Sequence, residues 1–398
     1  MGAAHLRSST RCPWRNGKAC QRFIAWQGPV TTRKVLTTMH ENRTRCGLML
    51  LALGWASGPA FATDAKTTPP SPVPITLDAI NAVAFVEPQA EAETPRKPAK
   101  ASTSKDLRPD PLLIKVQILL DRARFSPGAI DGRNGDNLSG ALSAYAAAQG
   151  LPATGKLDRS LFEKLQSTGG DPVAVNYTIT DEDVKGPFAK IPAKFEEQGR
   201  LKAMDYTNTR EMLAERFHMQ RDLLSALNPG KPLDTAGTVI TVAGVVPLER
   251  GKPKDLPRVP KVVRIEVDKE AHRVQAFGED GTLLRSYPAS IGSEEKPAPT
   301  GSFKVTRAAF DPWYTYNPKY AFKGVKTRRS FKIAPGPNNP VGAVWIDLSI
   351  PSYGIHGTPE PEKVGKTESH GCIRLTNWDA RDLASHVEKN AKVDFLDK

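Results

Sequence analysis

A chain of 398 residues is long enough for two or three domains, each burying its own core. Hydrophobic residues make up 39% of it, an ordinary share, which points to a globular, water-soluble mature protein. The formal charge is +13, but the first 62 residues hold nine Lys/Arg and one Glu, and the remainder carries 47 basic against 42 acidic residues, a net of +5. That excess suits an anionic surface and is too weak to point to nucleic acid, so no nucleic-acid partner is expected.

The first element in chain order is "MHENRTRCGLMLLALGWASGPAFATDA". Arg43 and Arg45 form a positive front, Leu48 to Trp55 an apolar run, and Ala60-Phe61-Ala62 an A-x-A cleavage site. This predicts a signal peptide over 39–62, an over-extended start at 1–38, and export. The run is shorter than the roughly 20 apolar residues of a permanent span, so no permanent transmembrane span is expected; an uncleaved anchor is the alternative. Cleavage after Ala62 removes Cys12, Cys20 and Cys46 and leaves Cys372 alone. A single cysteine cannot form an internal disulfide, and an unpaired thiol in an oxidising compartment needs a reason to persist.

Residues 63–109, rich in Pro, Ala, Thr and Lys, read as a disordered linker. The region 110–168 reads as a small helical bundle. In "DPLLIKVQILLDRARF" Leu112, Val116 and Leu119 or Leu120 share a helical face, with Asp110 before Pro111 as the start signal. A glycine-rich turn, "SPGAIDGRNGDN", leads to a second helix that ends at Gly150, and "DRSLFEKL" makes a third. The order of "G-x-IDG-x-x-G", an aromatic-bearing helix and "GL-x-x-TG" resembles a peptidoglycan-binding-like helical domain.

Over 174–245 a strand ("AVNYTIT"), two helices ("TREMLAERFHMQRDLLSALNPG") and a second strand ("GTVITV") follow one another. That order resembles a small α+β LysM-like module, a glycan-binding fold. Asp183–Tyr206 departs from the family by lying where a short strand-to-helix link is expected.

After a linker at 247–260 the pattern turns mostly β. "KVVRIEVD" places Val263, Ile265 and Val267 on one face, "AHRVQAFGEDGTLLRSYPASIG" reads as two strands about an Asp-Gly turn, and "PTGSFKVT" and "AVWIDLS" add further strands. "DARDLASHVEKN" is the convincing helix. Residues 261–398 are expected to form one compact domain.

Its chemistry is concentrated in "YGIHGTPEPEKVGKTESHGCIRLTNWD". A cysteine nucleophile needs a base and donors for an oxyanion. Gly371 permits a bend that aims consecutive N–H groups at one point, and the polar "TPEPEKVGK" loop can bring His356 beside "SHGC". Three readings stay open on spacing alone: Cys372 as nucleophile; His356, His370 and Cys372 as zinc ligands; or an inert buried thiol with structural histidines. No C-x-x-C or H-x-x-x-H pair supports the metal, so none is expected.

"HGTPEP…SHGCIRLTNWDA", with "PTGSFKV" and "GAVWIDLS" upstream, resembles the YkuD-type catalytic domain of the L,D-transpeptidases over residues 261–395. The resemblance implies Cys372 as nucleophile, His356 as base, the Gly357 carbonyl orienting the imidazole, and backbone N–H groups around His370–Cys372 as oxyanion donors. Ser369, His370 and Gly371 would support the site, and Arg374 would face substrate carboxylates. It implies acyl transfer from the diamino acid carbonyl of a peptidoglycan stem, with release of D-Ala and no cofactor. The partners implied are stem peptides and glycan strands, with another stem, an outer-membrane protein lysine or a free D-amino acid as acceptor. The place implied is the periplasm, at the cell wall. A hydrolase of the same fold and a wall-binding protein with a vestigial catalytic domain remain as alternatives. Trp313, Tyr314, Tyr316 and Tyr320 are expected either to line a donor cleft or to pack the β domain. Cys372 is expected to be partly exposed and to ionise more readily than a free thiol.

Overall fold

The computed structural model describes residues 75–87, 108–253, 259–293, 296–320, 327–369 and 371–396. The signal segment, most of the 63–109 linker and His370 lie outside them. Within that linker, however, Thr76 caps a short helix, α1 (Leu77–Ala82), by accepting the Ala79 N–H at 3.1 Å. Ile80 is fully buried, and Asn81 accepts the Val173 and Ala174 N–H groups at 2.9 Å each. The expectation of disorder throughout 63–109 is therefore corrected: three apolar residues, Leu77, Ile80 and Phe85, dock inside a stretch whose average composition hides them.

Asp110 opens α2 (Pro111–Arg122) by accepting the Leu112 N–H at 2.7 Å, with proline at the first helical position, where its missing donor costs nothing. The helices α3 (Asp136–Ala148) and α4 (Arg159–Gly169) complete the bundle. Then β1 (Ala174–Thr178) is followed by α5 (Asp181–Lys185), α6 (Phe195–Gln198), α7 (Thr209–Arg216) and α8 (Arg221–Leu227), and β2 (Val239–Ala243) pairs back antiparallel to β1. One apolar cluster runs from Ile80 through the three helices to Ile240 and Val242. The two regions read from sequence as separate modules thus share a core. Arg122 knits them as well: its guanidinium donates to the carbonyls of Gly169, Gly170, Pro172 and Gly244 at 2.6 to 3.0 Å.

The rest of the chain forms β3 (Val262–Asp268), β4 (Arg273–Phe277), β5 (Leu283–Pro288), β6 (Ser290–Ile291), β7 (Gly301–Phe310), β8 (Tyr314–Tyr316), β9 (Phe331–Ile333), β10 (Val344–Leu348), β11 (Gly354–His356), β12 (Ile373–Arg374), α9 (Asn377–His386) and β13 (Val387–Leu396). Among the described residues, nine strands make one sheet in the order β5-β4-β3-β13-β7-β10-β11-β12-β6, and β8 and β9 pair separately. In β3, Ile265 and Val267 are buried as the alternation requires, but Val262 takes the third buried place and Val263 is only half-buried.

The helix read over 379–390 ends at His386. Val387 turns the chain into β13, which lies parallel to β3 and antiparallel to β7 at the centre of the sheet, burying Ala391, Val393 and Phe395 on alternate positions. The edge strand β5 is covered by the connection after α2, where Ser126 N–H donates to Ser286 O at 2.8 Å and Ser286 N–H to Arg124 O at 3.0 Å. Unpaired edge groups are thereby satisfied by the N-terminal region.

Candidate active site

The strands β11 and β12 lie parallel, with Ile355 opposite Ile373 and His356 opposite Arg374. Both isoleucines are fully buried on one face, so strand alternation puts His356 and Arg374 together on the other. Cys372 stands at the residue before β12 and is partly exposed, with its Sγ 3.8 Å from the carbonyl of Ser352. Two segments sixteen residues apart in sequence thus meet edge to edge.

The imidazole is held on two sides. Its Nδ1 lies 2.6 Å from the Gly357 carbonyl. Because a carbonyl only accepts, Nδ1 carries the proton and Nε2 keeps its lone pair, which is the tautomer a general base requires. The Trp345 ring stacks on it at 5.3 Å and 18°. Gly354 makes room for that ring, since a Cβ there would come within 2.5 Å of Trp345 Cζ2. Burial, then the charge of Arg374, lowers the His356 pKa to about 3, so the ring is neutral at physiological pH.

Burial pushes the Cys372 thiol up, against the Gly354 N–H and the Arg374 charge, which favour the thiolate. The expected exposure is present, but the expected easy ionisation is not. In this resting geometry the pair is a neutral thiol beside a neutral imidazole. Arg374 is itself held down by burial while Cys372 and Glu360 draw it up. It is the cation that acts on both His356 and Cys372.

Gly371 adopts φ +104°, a region that strains any residue with a Cβ. Ser369 donates from its hydroxyl to the Cys372 carbonyl and from its N–H to Gly292 O at 2.8 Å, which ties the ends of the bend together. His370 lies outside the described residues, so the zinc reading's third ligand has no described position. Among the described residues, no group of three His, Cys, Asp or Glu side chains is placed to hold a metal ion.

The aromatic segment divides. Tyr314 and Tyr316 pack with Phe195 of α6 and Phe331 of β9, with ring centroids 5.8, 5.9 and 6.0 Å from Phe195, and Tyr316 is fully buried. They are packing residues, and the partner comes from the Asp183–Tyr206 stretch that departs from the LysM pattern. Trp313 is 60% exposed, and the side chain of Tyr320 is outside the described set. Trp345, and Asn377, whose Oδ1 would lie 2.1 Å from a Cβ on Gly357, are the site residues that sequence reading missed. The "VWIDL" alternation marked a strand but gave no sign that its tryptophan covers a histidine.

Residues 262–394 match the family model of the L,D-transpeptidase catalytic domain, YkuD, and residues 109–165 match that of the "Putative peptidoglycan binding domain". The "Putative L,D-transpeptidase YkuD" of Bacillus licheniformis is 29% identical over 187 residues, which cover 46% of this chain and 92% of that one. Its Bacillus subtilis counterpart is 32% identical over 111 residues, 28% of this chain and 52% of that one, so the chain spans about half of that relative's length. A solved L,D-transpeptidase from Mycobacterium smegmatis aligns at TM-score 0.28 and 20% identity, covering 40% of this chain and 66% of that one.

Proposed function

Since residues 262–394 form a YkuD-type L,D-transpeptidase catalytic domain and residues 109–165 a peptidoglycan-binding domain, we propose that this protein is a cysteine-dependent peptidoglycan L,D-transpeptidase. The observation that carries it is the His356 imidazole, locked by the Gly357 carbonyl with Nε2 unprotonated, on the strand beside the one that Cys372 immediately precedes. The thiol loses its proton to Nε2 as Sγ attacks the carbonyl of the diamino acid at the third stem position. The oxyanion takes donors from the backbone around Gly371 and Cys372, whose bend the glycine permits. The C–N bond to the terminal D-Ala then breaks, and the imidazolium returns its proton to the departing amine. An acceptor amine resolves the thioester by the same steps in reverse. Because both groups rest neutral, proton transfer belongs to the attack itself and not to a standing ion pair. Arg374 would stabilise the thiolate and hold a substrate carboxylate.

The pairing of β1 with β2 around α7 and α8 supports a LysM-like reading of 174–245, in which it would bind glycan alongside the helical domain. Export through the 39–62 signal to the periplasm fits a wall substrate. Among the described residues no helix is long and apolar enough to cross a membrane. Mass spectrometry of muropeptides from cells with and without the protein tests the reading. Cross-links through the third stem position should disappear with the protein and return with the wild type but not with Cys372→Ser. Loss of free tripeptides alone would identify a hydrolase instead, and attachment of stems to a protein lysine would identify the acceptor.

A further inference from the structure

The loop from His356 to Cys372 is held from outside the catalytic domain. Arg221 of α8 grips Glu362 with two prongs, Nε to Oε1 at 2.7 Å and NH2 to Oε2 at 3.0 Å. Asn137 of α3 donates to the Val364 carbonyl at 2.9 Å, and Lys366 lies 3.6 Å from Asp131. Behind the histidine stands Asn377, wholly buried at the start of α9. Its Oδ1 accepts the Ala343 N–H at 2.9 Å and fills the space a Cβ on either Gly342 or Gly357 would need, since each would come within 2.1 Å of it. Its Nδ2 donates to Pro337 O at 3.2 Å and to Glu215 Oε1 of α7 at 2.7 Å, across 162 residues of sequence.

A carboxamide has two nearly equal ends, and what it faces decides which way it points. Pro337 O and Glu215 Oε1 together demand Nδ2 on their side, which leaves Oδ1 for Ala343 and the Gly357 backbone. Removing the carboxyl leaves one acceptor of the two. A flipped amide would set Nδ2 against the Ala343 N–H, two donors face to face, and push on the Gly342–Gly357 contact. Gly357 supplies the carbonyl that fixes His356. Glu215 is itself buried, takes the Tyr206 hydroxyl at 3.3 Å, and is raised to about 8 by burial, which makes glutamine a close isostere of its neutral form.

We propose that Glu215 is a positioning residue for the reaction: through Asn377 and the Gly357 backbone it sets the imidazole of His356, so that the N-terminal region completes the active site instead of only carrying it to the wall. This rests on the roles of Cys372 and His356 given above.

The test uses the full-length protein and reads three quantities: kcat and KM with a stem tetrapeptide and an amine, the rate of Cys372 alkylation by iodoacetamide against pH, and the melting temperature. Glu215→Met should lower kcat about tenfold with KM within twofold and displace the alkylation profile, while Glu215→Gln recovers most of the loss. Asn377→Asp, which takes the donor from Pro337 O and sets a second carboxyl against Glu215, should be impaired. Adding Glu215→Gln to it should restore part of the activity, because the glutamine amide then donates across the same contact while Pro337 O still lacks its donor. Should Glu215→Met not fold, the double variant decides alone, and one no better than Asn377→Asp overturns the proposal. So does a folded Glu215→Met with wild-type kcat and profile, or equal loss in the Met and Gln variants with the profile unmoved. Cys372→Ser separates the two layers. If it transfers acyl groups the reading of Cys372 as the nucleophile falls, whereas a dead Cys372→Ser beside a fully active Glu215→Met removes this inference only.

Discussion

The core of the catalytic sheet and the seam along which that sheet meets the N-terminal region are built of opposite materials. The core is aliphatic: Ile265, Val267, Val344, Ile346, Ile355, Ile373 and Leu383 are fully buried against one another. The seam is polar and almost as dry. Ser126 donates to Asp379 at 2.9 Å, His218 sits 2.9 Å from Asp121 and stacks on Trp378 at 4.9 Å, and Arg273 donates to Ser286 Oγ and to the Ser126 and Asn137 carbonyls. Non-directional burial is enough to make a sheet cohere, but it does not fix one orientation of two bodies. Directional bonds that must all be made together do, and the loop between His356 and Cys372 lies along that seam.

Four measurements break or sharpen this contrast. Ile346→Ala in the core should cost the most stability, about 2–5 kcal/mol in denaturant unfolding, with activity per folded molecule unchanged. Loss of specific activity there would mean that the core also tunes the site. Arg273→Met should come next, at about 2–3 kcal/mol, because three acceptors lose their donor in a buried place. Unlike the core variant, it should also lower kcat. Arg273 is drawn down to about 10 by burial, so it remains charged through neutral pH.

The third concerns pH. Burial raises both Glu215 and Asp379 to about 8, so their folded forms hold protons more tightly than the unfolded chain does. Their contribution is complete below the unfolded carboxylate range and is lost as pH rises through about 8. His356, lowered to about 3, acts oppositely and penalises the fold as pH falls below about 6.5. The melting temperature should therefore fall from pH 6 to pH 9. Asp379→Asn or Glu215→Gln should each flatten that fall, removing about 2 kcal/mol of the stability lost between pH 6 and pH 8. A melting curve flat over this range would show that the seam is not protonated as described. The smallest effect is expected of Arg374→Gln. Without the cation, the pH at which Cys372 begins to alkylate should move further above that of a free cysteine peptide, with little change in stability.

The same contrast governs what could be read from the sequence. Strands such as β3 and β10 announce themselves because alternating Val, Ile and Leu means much the same in any fold. That the histidine and cysteine segments lie side by side was legible because glycine and serine neighbours at fixed spacing allow the bend that joins them. Glu215 was not, since a carboxylate on a short helix looks identical whether it faces water or an asparagine far along the chain. Asn377 resembled an ordinary residue of a helix start. The helix α1 and the central strand β13 were missed for a related reason: each is short on local signal and gains its stability from distant partners, Ala174 for one and β3 and β7 for the other.

Acyl transfer through Cys372 is measured most directly by the intact mass of the protein mixed with a stem tetrapeptide in the absence of an acceptor amine, followed by peptide mapping. A transient adduct of the stem less its terminal D-Ala is expected, located on Cys372, discharged by added amine, absent from Cys372→Ser and formed far more slowly by His356→Ala. An adduct on another residue, or D-Ala release with no covalent intermediate and full activity in Cys372→Ser, would contradict it.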